Sequence, residues 1–541
     1  MPQEPQASLP SAAQGVQHLP PAAGQRFTGG EAELGFDEGF RILQLLPPMQ
    51  ATQHGGGKRI EELAQVQHLH EGTALAGVMA VESEEHRRAA SHFRLISPMP
   101  SVSAPPSPPP KPGHMTENAA TASLTTRPMA QHRILIVGGG AAGLTTASQL
   151  LRARPGLAIT ILEPSADHYY QPGWTLVGGG VFSLEQTHRA EADLIPDGVE
   201  WLQEAVASFD PANNSVTTTA GTTLSYDALV VATGIKLCWE QIKGLPEALG
   251  RGGITSNYRK DLAPYTWQTI RGFKGGTALF TFPQTPIKCA GAPQKIMYLA
   301  DDVFQRSPEV AQHTRVIYAT ATPGIFGVPA FAEPLKKVVA RRGIETRFQH
   351  TLVEVRAESS EAVFRVQEGD SSREEVIPFA MIHVTPPMAA PDVVASSPLA
   401  VQGAGGWVEV DKATTQHVRY PNVFSLGDVS SLPNSKTAAA VRGQAPVVVA
   451  NLLAHLDGRP LEASYDGYAC CPLITGYGRT IMAEFTYDGT PAPSFPLDPT
   501  QERWSMWMLK KNVLPWIYWN RMLKGYPHER RYVPGVPAAA R

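Results

Sequence analysis

A cysteine in the stretch "PQTPIKCAGAPQK" stands between an apolar run ending at Phe282 and a helix-like segment beginning near Ala292. A thiolate is a soft nucleophile that can take up, hold and release a sulfur atom, so Cys289 in such a loop is a candidate for sulfur chemistry. The following helix N-terminus and the preceding Lys288 should both favour the ionised thiol. A second set of residues has the spacing for a dinucleotide. Gly138, Gly140 and Gly143 follow the apolar run "RILIV", and Glu163 ends a second apolar run twenty residues after Gly143. The first glycine permits a tight turn and the second lets the backbone approach a pyrophosphate. The third lets helix and strand pack closely, and the acid can bind ribose hydroxyls.

These residues need particular elements to position them. Ile134 to Val137 reads as a buried strand, residues 141 to about 153 as a helix, and "LAITILEPS" as the next strand. "FKGGTALFTFP" reads as the opening of a second unit of strand and helix. Its loop carries prolines in place of the glycine fingerprint, and prolines lack the backbone donors that would cradle phosphates. The expected fold is α/β, with two Rossmann-like domains and a C-terminal membrane-interface segment.

Composition bounds the rest. The chain has 541 residues, too many for one core, and a formal net charge of -3, which argues against nucleic acid as a partner. Its four cysteines form no CxxC pair, so neither a metal site nor a disulfide framework is expected, and the compartment reads as reducing. No apolar run is long enough to span a bilayer, and no secretory signal is recognised. Residues 1–130, with the tract "SPMPSVSAPPSPPPKPGHM", read as a disordered extension, or as preceding a true start at Met115 or Met129.

Two further motifs refine the reading. "LSYDALVVATGIKL" contains Thr233 and Gly234, and "NVFSLGDVSSLPNSKTAAAV" contains Asp428 and Lys436. With the glycine loop they resemble the two-dinucleotide-binding-domain flavoproteins. That resemblance implies FAD, with the Thr233–Gly234 segment against it and Asp428 on its ribityl chain. The "HYYQPGW" loop, with Gln171, suits an approach to the flavin, and Lys436 could place a cation near the flavin or a quinone oxygen. The implied division is 131–250 plus 400–460 for FAD, 251–399 for the second Rossmann-like domain, and 461–541 for the C-terminal region.

At higher resolution, "FPQTPIKCAGAPQKIMYL", "MIHVTPPMAAPDVV", "YDGYACCPLITGYGR" and "MAEFTYD" closely resemble the mitochondrial-type, or type II, sulfide:quinone oxidoreductases over residues 133 to 526. The resemblance implies sulfide as electron donor, sulfane sulfur carried on Cys289, and ubiquinone or another quinone as acceptor. The family places a second redox cysteine directly after the GD aspartate, where this chain has Val429. Cys238, Cys470 and Cys471 are conceivable substitutes, of which Cys238 and Cys471 read as packed residues. The favoured reading is therefore Cys289 working with an external thiol such as glutathione, or a drift to a related substrate. The alternatives are a type II NADH:quinone reductase, which needs the missing glycine loop, and a flavoprotein with altered or lost sulfide activity.

The acceptor end is suggested by "QERWSMWMLKKNVLPWIYWNRMLKGY". Its tryptophans and Tyr518 lie among Lys510, Lys511, Arg521 and Lys524. Rings at headgroup depth with cations on phosphates suit a peripheral attachment to an inner or cytoplasmic membrane surface. Pro515 is expected to break the segment into two short pieces. A homo-oligomer remains open at this stage.

Overall fold

The computed structural model describes residues 132–403 and 405–526. The expected extension over residues 1–130, with Met115 and Met129, lies outside the described residues.

The chain enters on β1 (Arg133–Val137) and turns at the glycines into α1 (Ala141–Ala153). It continues through β2 (Ala158–Leu162), β3 (Val199–Leu202) and β4 (Ala228–Val231). It then builds a second layer from β5 (Ile254–Thr255), α2 (Leu262–Gly272), β6 (Gly276–Phe282), α3 (Ala292–Phe304), β7 (Thr314–Thr320), α4 (Pro329–Arg342), β8 (Glu345–Arg347) and β9 (Met381–His383). The return to the first layer is β10 (Val423–Ser425) followed by α5 (Ala438–Leu456). The first sheet has the order β10-β4-β1-β2-β3 and the second β5-β9-β6-β7-β8, with every neighbouring pair parallel. The fold is thus α/β with two Rossmann-like parallel sheets.

The sequence explains why these sheets sit inside. Ile134, Ile136, Val137 and all of β4 are buried, with no alternation of apolar and polar residues. That is the pattern of a parallel strand covered on both faces by helices. At the β1–α1 turn, Gly138 has φ +109°, and a Cβ there would lie 2.4 Å from the Ala232 carbonyl oxygen. A Cβ at Gly143 would lie 1.8 Å from the Gly138 carbonyl oxygen, so only glycine lets α1 close onto the turn.

Two later elements complete the site. An antiparallel hairpin, β11 (Ala469–Gly476) and β12 (Arg479–Phe485), packs on α3, with Cys471 opposite Ala483 and Cys470 opposite Glu484. The terminal segment then runs helically from Trp504 to Met522 as α6 (Trp504–Met508), a π turn (Leu509–Val513), α7 (Leu514–Ile517) and a second π turn (Tyr518–Met522). The expected break at Pro515 does not occur. Pro515 falls in the first turn of α7, and the wide turn before it accommodates the absent N–H. No described helix is long and apolar enough to cross a membrane.

Candidate active site

The β6–α3 loop holds Cys289 in an unusual backbone state. Its φ is +53°, a left-handed conformation that costs a non-glycine residue about 1 kcal/mol. Three hydrogen bonds impose it. The Cys289 N–H donates to the Lys436 carbonyl at 2.8 Å, while its own carbonyl accepts from Ala292 N–H at 2.8 Å and from the Tyr258 hydroxyl at 3.4 Å. Lys436 therefore acts on Cys289 through its backbone. Its ammonium turns away to the Ser430 carbonyl at 2.9 Å and over the Trp407 ring.

The thiol itself faces Lys295, whose Nζ donates to Cys289 Sγ at 3.0 Å. It also meets Cys471. The Cys471 thiol, with Lys295, holds Cys289 well below the usual thiol range despite burial. Cys471 is pushed well above that range by the neighbouring Cys289 and by burial, so the negative charge of the pair rests on Cys289. Burial works against the Lys295 charge, but the two cysteines outweigh it and raise its pKa. The cation expected to serve Cys289 was Lys288, and here the structure corrects the sequence reading. Lys288 donates instead to Gln171 Oε1 at 2.6 Å, on the one-turn helix Gln171–Gly173, and burial lowers it to about 8.

Lys510 is a second correction. Read as an interfacial lysine, it is buried, donates to the Pro172 carbonyl at 3.0 Å, and is lowered to about 7 by burial and by repulsion from Lys295. It stands close enough to Cys289 to help stabilise its charge.

The dinucleotide residues gather at the C-terminal edge of the first sheet. Glu163 accepts from Gly139 N–H at 2.8 Å and from Ser165 N–H at 2.8 Å. Thr233 and Gly234 follow β4. Asp428 follows β10, where burial raises its pKa against the opposing charges of Lys436 and Lys288. These residues fit FAD. A Cβ at Gly140 or Gly234 would meet nothing within 4 Å, leaving open space over the start of α1, where unpaired backbone N–H groups favour a pyrophosphate. Thr233 Oγ1 and Glu191 Oε1 are buried without a hydrogen-bond partner among the described residues, which suits them to a bound hydroxylated group. Glu191 escaped the sequence reading because no glycine or acid spacing marks it. It crowds Gly139 together with Glu163 and is held by His168 at 2.9 Å.

The remaining cysteines differ in kind. Cys238 is buried, with its sulfur 4.0 Å from the Lys236 carbonyl, and Cys470 points to Met482 Sδ at 3.4 Å. Val429 is fully buried in an apolar cluster with Val408, Val410 and Leu432. Among the described residues no group of histidines, cysteines and acids could hold a metal ion.

The pairing of Cys289 with Lys295 gives a direct test. Cys289 should be alkylated by iodoacetamide at mildly acidic pH, where an ordinary thiol is spared. Lys295→Met should move the pH profile upward and slow alkylation at neutral pH by about tenfold. An unchanged profile would mean that Lys295 does not set the thiolate.

Comparison with known proteins accords with this geometry. Residues 132–263 match the family described as pyridine nucleotide-disulphide oxidoreductase. The chain is 45% identical over 396 residues to the mitochondrial sulfide:quinone oxidoreductase of Mus musculus, covering 73% of this chain and 87% of that one. It is 47% identical over 395 residues to the enzyme of the same name from Dictyostelium discoideum, covering 73% and 86%. The solved sulfide:quinone oxidoreductase of Aquifex aeolicus superposes with a TM-score of 0.62 at 19% identity, over 72% of this chain and 92% of that one, which shows a common fold. With two parallel-sheet layers, a site that fits FAD, and this degree of identity over most of its length, the chain belongs to the mitochondrial-type sulfide:quinone oxidoreductases and is an FAD-dependent oxidoreductase.

Proposed function

We propose that this protein oxidises sulfide at Cys289 and delivers the electrons, through FAD, to a membrane quinone. The observation that carries this reading is the placement of the Cys289 thiol beside a buried ammonium. The thiol is held by Lys295 at 3.0 Å, on the loop where a nicotinamide-using relative would need phosphate-binding glycines. FAD supplies a two-electron sink when bound, with Gly138, Gly140, Gly143, Glu163, Thr233, Gly234 and Asp428 as its binding residues and with Gln171 and Lys436 beside it. The chain's own part is to keep Cys289 ionised, orient it by the Lys436 carbonyl, and present it to hydrosulfide. The product is sulfane sulfur on Cys289, passed to a small thiol such as glutathione. A cavity of about 680 Å³, lined in part by Ile287, Ala290, Ser435 and Lys436, gives such a thiol a way to the loop.

The same reading divides the chain into an FAD-binding part (131–250 with 400–460), a second Rossmann-like part (251–399) and a C-terminal region (461–541). Anaerobic bleaching of the visible flavin absorbance, with sulfide and NADH added to separate samples, tests the function. Sulfide should bleach the flavin and NADH should not. The reverse result would favour an NADH:quinone reductase.

Peripheral attachment to an inner or cytoplasmic membrane completes the proposal, and the terminal helix supports it from two faces. Trp507, Tyr518 and Met522 are buried, and the Tyr518 hydroxyl lies 2.6 Å from His168 Nε2. Trp504 and Trp516 stand 60% and 56% exposed, too much apolar surface to leave in water without a function. The double variant Trp504→Ser/Trp516→Ser should bind lipid vesicles about tenfold more weakly. Because neither ring is part of the folded core, its bleaching by sulfide should be unchanged. Vesicle binding equal to the wild type would exclude this surface as the anchor.

A further inference from the structure

A buried row of side chains joins the glycine turn to the terminal helix. The antiparallel ribbon of Asp167–Tyr169 with His188–Ala190 sets His168 beside Glu191, the residue that follows it. His168, Glu191 and Tyr518 are all buried. Burial pushes the Tyr518 hydroxyl well above its ordinary range, so it keeps its proton and donates to His168 Nε2 at 2.6 Å. His168 then carries its own proton on Nδ1, which donates to Glu191 Oε2 at 2.9 Å. Glu191 Oε1 is left without a partner among the described residues, and a Cβ at Gly139 would lie 2.5 Å from it. Gly139 is not one of the three fingerprint glycines. It is bare because Glu191 and Glu163 both stand against it. The end of the terminal segment is also bound to α1: the Leu523 carbonyl accepts from the Ser148 hydroxyl at 2.6 Å, and the Lys524 carbonyl from Arg152 Nε at 2.6 Å. A Cβ at Gly525 would lie 2.6 Å from the Ser148 backbone, so glycine is what lets the segment close on α1.

We propose that Glu191 is a further binding residue for the sugar hydroxyls of the dinucleotide, that His168 and Tyr518 position it, and that the terminal helix is thereby part of the flavin site. The proposal rests on the reading that puts FAD at the glycine turn, and not on the identity of the electron donor. Glu163 already accepts with both oxygens, from Gly139 N–H and Ser165 N–H, so a second carboxylate adds an acceptor that the backbone has not occupied. A buried acceptor without a partner is costly, and a ligand hydroxyl relieves that cost. Glu191 is also fixed before the ligand arrives. Its other oxygen is tied to His168, and His168 is held by the Tyr518 hydroxyl and by the edge of Trp519, with ring centroids 5.8 Å apart. Coupling between two binding events is reciprocal: if the docked helix strengthens the hold on FAD, bound FAD holds the helix by the same factor. The segment that carries the exposed Trp504 and Trp516 thus has a second task on its buried side.

Flavin release from the full-length holoprotein, read as FAD passing a filter after dilution, tests this without turnover. Tyr518→Phe keeps the ring in its packing and removes only the hydroxyl, and it should speed release about tenfold. Glu191→Met, which keeps the volume and removes the acceptor, should speed release by about tenfold or more. The double variant should release flavin no faster than Glu191→Met alone, because Tyr518 acts through Glu191. Effects that multiply in the double variant would give Tyr518 a merely structural role and overturn the proposal. Release at the wild-type rate from both single variants, with flavin lost from Gly140→Val, would overturn it too and leave the glycine turn standing. Flavin held as in the wild type by all three would overturn the placement of FAD at the turn as well. Tryptic cleavage after Arg521 or Lys524 reads the coupling from the other end. Wild-type protein stripped of flavin should be cut about tenfold faster than the holoprotein, and Tyr518→Phe should shrink that difference to about twofold. Equal cleavage of the wild type with and without flavin would overturn the coupling.

Discussion

Cys289→Ser is expected to keep its flavin and to lose sulfide-dependent flavin reduction by about 1,000-fold or more, because a serine hydroxyl is not ionised near neutral pH and cannot carry sulfane sulfur. The protein should survive the change. Cys289 is held by its backbone, through the Lys436 carbonyl, Ala292 N–H and the Tyr258 hydroxyl, and serine preserves all three bonds. The residues proposed to bind FAD lie on other segments, after β1, β2, β4 and β10. Flavin content by absorbance, paired with anaerobic bleaching by sulfide, is the measurement. A variant that bleaches at the wild-type rate would remove Cys289 from the mechanism.

The second large effect separates binding from folding at the glycine turn. Gly140→Val should lower the flavin-to-protein ratio by more than about tenfold, because its side chain would stand where a pyrophosphate must approach the start of α1. The apoprotein should still fold. Gly140 has φ -65° and ψ -170°, extended backbone that valine adopts readily, and a Cβ there meets nothing within 4 Å. Gly143→Ala makes the contrast. Its methyl would sit 1.8 Å from the Gly138 carbonyl oxygen, so it should destabilise the domain by about 2 kcal/mol, visible as a lower melting temperature. Gly140→Val with a full complement of FAD, or with the larger loss of melting temperature, would show that the two glycines have been assigned the wrong tasks.

Valine at 429 leads the sequence argument to Cys289 as a lone thiol, and the side chains around that thiol lie beyond its reach. Motif spacing reports residues that share a loop or a strand end. It singled out Cys289, the three glycines, Glu163, Asp428 and Lys436 because each belongs to a local strand, loop and helix unit. It did not find the partners of Cys289. Lys288 is adjacent in sequence, yet the left-handed turn at Cys289 sends it to Gln171, and Lys295 from the following helix takes its place. Lys510 looked interfacial because it lies among tryptophans, and the π turn carries it into the protein instead. Pro515 looked like a helix break for the same reason: local rules see the missing donor but not the turn that makes room for it.

What the sequence determined by itself was the set of local units. Uninterrupted apolar strands demanded burial on both faces, hence parallel sheets covered by helices. Glycines at 138 and 143 demanded a turn that no other residue can make, and prolines in the second loop argue against a second phosphate cradle. Tertiary structure alone decided which distant groups meet at the thiol. Cys471 lies on a hairpin far along the chain, and the alternation of its strand, the bare Cα of Gly291 and the packing of the hairpin on α3 together turn it, rather than Cys470, toward Cys289. A hydrogen bond between two side chains from separate elements depends on the relative placement of both backbones to within about an ångström. No residue pattern within either segment carries that information, because it is fixed by how the hairpin packs on α3.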